Sequence, residues 1–246
     1  MVKRGQADVW SAAHQDFLLI LQGHTKMPAE KKLIATDMDG VLTKHPSSWG
    51  YLHKIFGVDN SAIYSKYRAG QLPYSEFLSA DVSLWIDKYN KLKKDYIVSL
   101  LERIPLMDNL FSGLELLRKS GFTIVVISGG ISWLTEIISR SFKFDLVFSN
   151  EIGTDQENYI IPQGRVNVIP REKEKTLRKV QDILGISPED TISIGDSDFD
   201  ARMFPLSGLN IAYNPNQPEI ISESDLIIYS EDFLYLAKSI LRNSQS

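Results

Sequence analysis

Leu33-Ile34-Ala35-Thr36-Asp37-Met38-Asp39-Gly40-Val41-Leu42-Thr43 is the stretch whose reading decides the fold. Three apolar residues and a threonine run into two aspartates and a glycine. A run this short, without polar alternation, suits a strand buried on both faces. Gly40 permits a sharp backbone exit where the acids lie.

Working outward, the same pattern recurs. Phe122 to Ile127 runs into Ser128-Gly129-Gly130, Asp145 to Phe148 into Ser149, and Thr191 to Ile194 into Gly195-Asp196. Leu209 to Ala212 and Leu226 to Tyr229 read as two more strands. Between them, Asp108 to Lys119 and Glu172 to Leu184 carry leucines and valine at helical spacing and meet the stop signals Gly121 and Gly185. Alternating strands and helices predict an α/β fold: a Rossmann-like parallel sheet with helices on both faces. Ligands of such sheets sit at the carboxyl ends of the strands, where the polar residues cluster here.

Three stretches depart from that rhythm. Residues 44–104 are helix-rich, with segments at Leu52–Phe56, Ile63–Tyr67, Tyr74–Leu84 and Tyr89–Leu101. They begin just past the first acidic strand end, as an inserted cap would, which leaves 33–43 and 105–246 as the core. Asn158 to Ile169, with Gln163-Gly164 in its middle, reads as a β-hairpin. Residues 1–32 form an arm, with a candidate helix from Ala7 to Leu21 and a linker at Thr25 to Pro28.

Composition narrows the function classes. The 246 residues carry a net charge of −4, so no global basic field attracts nucleic acid. The lack of cysteine excludes disulfides, thiolate metal sites and thiol nucleophiles. No apolar run reaches the roughly 18 residues of a membrane span, and Phe17 to Leu21 is too short for a signal-peptide core. The expectation is a cytoplasmic protein acting on a small molecule, without nucleic-acid or membrane partners.

The clustered residues suit phosphoryl transfer, which depends on positioning and electrostatic stabilisation. Asp37, Asp196 and Asp200, with the backbone carbonyl of Asp39, offer the oxygen ligands that magnesium prefers. One carboxylate can attack phosphorus. On a continuing strand Asp39 shares the face of Asp37 and serves as acid and base. Ser128 offers a hydroxyl, Gly129 a backbone N–H, and Lys173 a compact positive charge for phosphate. Alone each signal is weak: Asp-x-Asp at a strand end is common, and Lys173 lies in the charged run Arg171-Glu172-Lys173-Glu174-Lys175. Together, at successive strand ends, they are not.

In this set the chain resembles the haloacid dehalogenase superfamily, over about Leu33 to Leu241. Asp37-Met38-Asp39-Gly40-Val41-Leu42-Thr43 resembles its first motif, Ser128 its second, Lys173 its third, and Gly195-Asp196 with Asp200 its fourth. The resemblance implies a magnesium-dependent phosphatase with a small helical (C1-type) cap. Asp37 would be the nucleophile, Asp39 the acid and base, and Asp37, Asp39, Asp196 and Asp200 the metal set. A phosphotransferase or mutase shares that machinery; a non-catalytic binding module would be expected to have lost these residues. The branch most resembled is that of phosphoserine phosphatases, with three departures. His45-Pro46-Ser47-Ser48 lacks the acid that holds a substrate ammonium there, Asp81 stands where a cap arginine clamps the substrate carboxylate, and Phe199 replaces an asparagine. These departures point away from phosphoserine. Arg68, with Trp49, Tyr51 and Tyr67, is the candidate to face the substrate instead, although cap core is the more ordinary place for the aromatics.

Overall fold

Leu33, Ile34 and Ala35 are almost fully withdrawn from water because they form the middle strand of a seven-stranded sheet. The structure is a computed structural model and describes residues 32–243; the expected arm helix lies outside the described residues. The strands are β1 (Leu33–Thr36), β2 (Thr123–Ile131), β3 (Leu146–Thr154), β4 (Ile160–Arg165), β5 (Thr191–Gly195), β6 (Leu209–Tyr213) and β7 (Leu226–Ile228). They stand in the order β4-β3-β2-β1-β5-β6-β7. Every neighbouring pair is parallel except β3 and β4.

Four helices follow β1: α1 (Ser48–Phe56), α2 (Ser61–Arg68), α3 (Tyr74–Tyr89) and α4 (Lys94–Leu101). Next come α5 (Leu110–Lys119), α6 (Ser132–Ser139), α7 (Lys173–Leu184), the short α8 (Asp198–Ala201) and α9 (Pro218–Ser222), and α10 (Phe233–Asn243). Strand side chains alternate between faces, and β1 shows it. Leu33 and Ala35 pack with Val125, Ile127 and the α7 residues Leu177 and Val180. Ile34 packs the other way, with Ile124, Val126, Leu114 of α5 and Leu236 of α10. Burying each Leu or Ile contributes about 1.5–3 kcal/mol, so a one-residue slip of β1 would be costly on both faces.

The four helices after β1 pack around an aromatic centre. Trp85 lies at their centre with Phe56, Leu52 and Ile97, all essentially inaccessible to water. Ser47 caps α1 by accepting a hydrogen bond from the Gly50 N–H at 3.0 Å, and Gly57 ends that helix. The expected Tyr89–Leu101 helix is shorter: α3 continues to Tyr89, the chain turns at Asn90, and α4 starts at Lys94.

The hairpin differs from expectation. Its turn lies at Asp155–Asn158, where Asp155 Oδ1 accepts hydrogen bonds from the N–H groups of Glu157 and Tyr159. Gln163-Gly164 sits inside β4 instead. Glycine is needed there for close approach and not for a turn: a Cβ at Gly164 would lie 2.1 Å from the Glu151 carbonyl oxygen. Gly164→Ala is expected to destabilise the protein by about 1–3 kcal/mol, measured by urea denaturation. An unchanged midpoint would mean that the β3–β4 pairing is slack.

Candidate active site

Asp37 directly follows β1, and its N–H still pairs with the Ile194 carbonyl of β5 at 3.0 Å. The strand does not continue through Asp39. The chain curls instead, and the N–H groups of Leu42 and Thr43 both return to the Met38 carbonyl. Asp39 nevertheless enters the cavity that Asp37 lines. Its Oδ2 accepts hydrogen bonds from the Ser48 N–H and hydroxyl, each at 2.8 Å. Its Oδ1 is buried with no partner, which leaves one acidic oxygen free for chemistry. Ser48 thus gives a purpose to the stretch that lacks the family's acid.

From β5, Gly195 leads into Asp196 and the capping turn of α8. Asp200 Oδ2 accepts from the N–H groups of Asp196 and Ser197 and from the Ser197 hydroxyl. Its Oδ1 accepts from Lys173 Nζ at 2.6 Å, and the same ammonium lies 3.1 Å from Asp37 Oδ2. Lys173 opens α7 and is 1% exposed, so the charged run contains one buried lysine. Asn216, beyond β6, donates to Asp196 Oδ2 at 2.8 Å. Two glycines make these approaches feasible. A Cβ at Gly40, whose φ is +73°, would stand 2.2 Å from Asp196 Oδ2, and one at Gly195 would stand 2.0 Å from Asp200 Cβ.

Burial dominates the electrostatics. It pushes Asp37 up to about 7, with Lys173 opposing and Asp200 and Asp39 reinforcing. It pushes Asp39 up to about 6 against the two Ser48 hydrogen bonds. Asp196 also rises well above the usual carboxylate range, by burial first and then by Asp200 and Asp37. Burial disfavours the charge on Lys173, but Asp200 and Asp37 outweigh it and hold the ammonium protonated.

One ammonium does not balance four carboxyls. Single oxygens of Asp37, Asp196 and Asp200 lie within 4.8 Å of one another and are buried. An all-oxygen set with surplus negative charge fits a hard divalent cation such as magnesium. Asp39 contributes no side-chain oxygen to that trio.

Ser128 is fully buried, accepts a hydrogen bond from the Gly130 N–H at 3.1 Å, and lies close enough to Asp37 to lower its pKa. Gly129 lines the cavity. Its carbonyl is held by Trp49 Nε1, the Tyr74 hydroxyl and Asn150 Nδ2, each at 3.1 Å. Trp49 and Tyr67 line the cavity, whereas Tyr51 packs edge-on against His45. Arg68 is not among the lining residues. Its guanidinium donates to Asp198 at 2.6 Å and lies 4.9 Å from the centre of the Phe199 ring, so it clasps the end of α2 to α8. Neither Asp198 nor this clasp is evident from the sequence. Ser48, Asn150 and Asn216 were likewise missed, though Asn216 follows a strand that neighbours Asp196 and could have been sought there.

Two outcomes follow from this geometry. A carboxyl whose folded pKa is raised contributes stability that is full below its unfolded value and lost as the pH climbs through the folded one. Without divalent cations, the wild type should therefore lose about 2 kcal/mol relative to Asp39→Asn between pH 4 and 7. Parallel stability profiles of the two proteins would contradict the burial of Asp39. The Arg68–Asp198 pair is partly exposed, so Arg68→Ala should cost under about 1 kcal/mol. It should raise KM a few-fold for every ester alike; a rise confined to one ester would return Arg68 to substrate contact.

Comparisons with known proteins bear on the family. A family model described as haloacid dehalogenase-like hydrolase matches residues 31–208. The chain is 29% identical to phosphoserine phosphatase of Archaeoglobus fulgidus, across 91% of this chain and 64% of that one. It is 26% identical to phosphoserine phosphatase of Methanocaldococcus jannaschii, across 87% of this chain and all of that one. A solved phospho-aspartyl intermediate analogue of phosphoserine phosphatase superposes with a TM-score of 0.70 at 25% identity, covering 85% of this chain and 99% of that one. The matched span reaches from before β1 to beyond Asp200, and on that basis the protein belongs to the haloacid dehalogenase-like hydrolase family.

Proposed function

We propose that the protein hydrolyses phosphate monoesters of small metabolites in two displacements. The observation that carries this reading is the meeting of Asp37, Asp39 and Lys173 in one cavity beneath a helical cap. In the first displacement an Asp37 oxygen bonds to phosphorus as the ester P–O bond breaks, and the departing oxygen takes the proton of the Asp39 carboxyl. In the second, water bonds to phosphorus, gives its proton to the Asp39 carboxylate, and releases phosphate and the Asp37 carboxylate. The rise of Asp39 to about 6 supports its entering protonated and leaving a base of useful strength. Lys173 and Ser128 hold phosphoryl oxygens, with the Gly129 N–H as a further donor.

Asp37, Asp196 and Asp200, with the Asp39 carbonyl, would hold magnesium, whose charge offsets repulsion between the phosphate and the carboxylates. Three donors already occupy Asp200 Oδ2 and Lys173 occupies Oδ1, so Asp37 and Asp196 are the better direct ligands. Residues 44–104 act as the cap, and 33–43 with 105–246 as the core. The Arg68–Asp198 clasp holds them together while water is excluded.

Phosphoserine is not the favoured substrate on this reading. Among the described residues that line the cavity, Lys173 is the only lysine or arginine, while Asp81 and Asp39 both line it. A substrate carboxylate would meet Asp81 and find no cation to receive it.

Purified protein with magnesium should release phosphate from p-nitrophenyl phosphate without any added acceptor. Asp37→Asn should reduce that rate on the order of 10³-fold or more, and chelation of magnesium should stop it. Full activity in folded Asp37→Asn would remove the nucleophile from this account.

A further inference from the structure

Asp81, in the middle of α3, is 1% exposed and lines the cavity. Its Oδ1 accepts from Asn60 Nδ2 at 3.0 Å, and its Oδ2 lies 3.3 Å from His53 Nε2. His53 Nδ1 in turn accepts from Trp85 Nε1 at 2.8 Å. A ring nitrogen that accepts cannot carry a proton, so the imidazole hydrogen sits on Nε2 and the ring is neutral. The carboxylate therefore has one neutral donor, Asn60, and beside Oδ2 an uncharged ring to which it makes no hydrogen bond. A buried carboxylate with a single neutral donor lacks a countercharge, which a bound cation would supply.

The surrounding walls suit the same ligand. Trp49, Tyr64, Tyr67, Tyr74, Phe77 and Phe199 line the cavity of about 340 Å³. Aromatic faces attract ammonium groups electrostatically, and more strongly where water is excluded. Trp49 stacks on Trp85, and Tyr67 on Phe77 at 13° between planes, so these rings are fixed by packing.

The geometry points to a substrate whose leaving alcohol carries a cationic amine and no carboxylate: the phosphate ester of a short amino alcohol, its ammonium received by Asp81 within the aromatic wall. This deepens the phosphatase reading and rests on it. A neutral polyol ester would leave the Asp81 carboxylate without a countercharge, and an amino-acid ester brings its carboxylate toward Asp81.

The test is binding by calorimetry to Asp37→Asn protein with magnesium, using O-phosphoethanolamine, phosphocholine, 2-hydroxyethyl phosphate and O-phospho-L-serine. At least one cationic ester should bind about tenfold or more tightly than 2-hydroxyethyl phosphate, and phosphoserine should bind more weakly than O-phosphoethanolamine. Adding Asp81→Asn should bring the cationic and neutral esters to within about twofold of one another. Equal binding of cationic and neutral esters, or phosphoserine as the tightest ligand, overturns the proposal. So does a preference that survives Asp81→Asn. If that double variant does not fold, the ligand ranking in Asp37→Asn alone still decides. The two readings fail separately. Wild-type hydrolysis of p-nitrophenyl phosphate without a cation preference sinks the substrate class alone. A cation preference without hydrolysis sinks the chemistry and leaves the subsite.

Discussion

The buried ammonium of Lys173 is the tie on which the active end of the sheet depends. It joins three segments far apart in sequence: Asp37 after β1, the start of α7, and Asp200 beyond β5. An ion so withdrawn from water is tolerable only when paired and hydrogen-bonded, and removing one partner typically costs about 3–5 kcal/mol. The parallel sheet supplies the arrangement. β1 and β5 are neighbours in register, so their carboxyl ends emerge side by side, and α7 packs on the face that receives Leu33 and Ala35. Chemistry and fold thus share one constraint: the carboxylates must be close enough to act together and neutralised enough to remain folded.

That constraint explains what was legible in the sequence. The strand ends could be read because glycine and aspartate punctuate runs of apolar residues, and Gly40 and Gly195 are where carboxylates pack against the backbone. The hairpin turn could not be placed, because Gly164 has the look of a turn residue while its lack of a Cβ serves the approach of β3. The role of Ser48 was hidden for another reason. It replaces nothing recognisable, yet two hydrogen bonds from it fix Asp39.

Residues 44–104 were legible as helices and opaque as a surface. Asp81 stood out in sequence as an anion in an unexpected place. Its partners did not, because His53 and Asn60 reach it across separate helices and a loop, and nothing local pairs them. Arg68 shows the converse. A cation before the cap turn invited a role in binding, but Asp198 takes it from the core side. Local pattern locates charged groups; only tertiary packing decides which of them face each other.

The proposed hydrolysis requires that Asp37 become covalently phosphorylated. Wild-type protein mixed with magnesium and a turned-over ester, quenched in acid within one turnover and digested, should yield a peptide containing Asp37 heavier by one phosphoryl group. The corresponding peptide from Asp37→Asn should carry none. Turnover with no phosphorylated peptide, or with the phosphoryl group on another residue, would contradict the account.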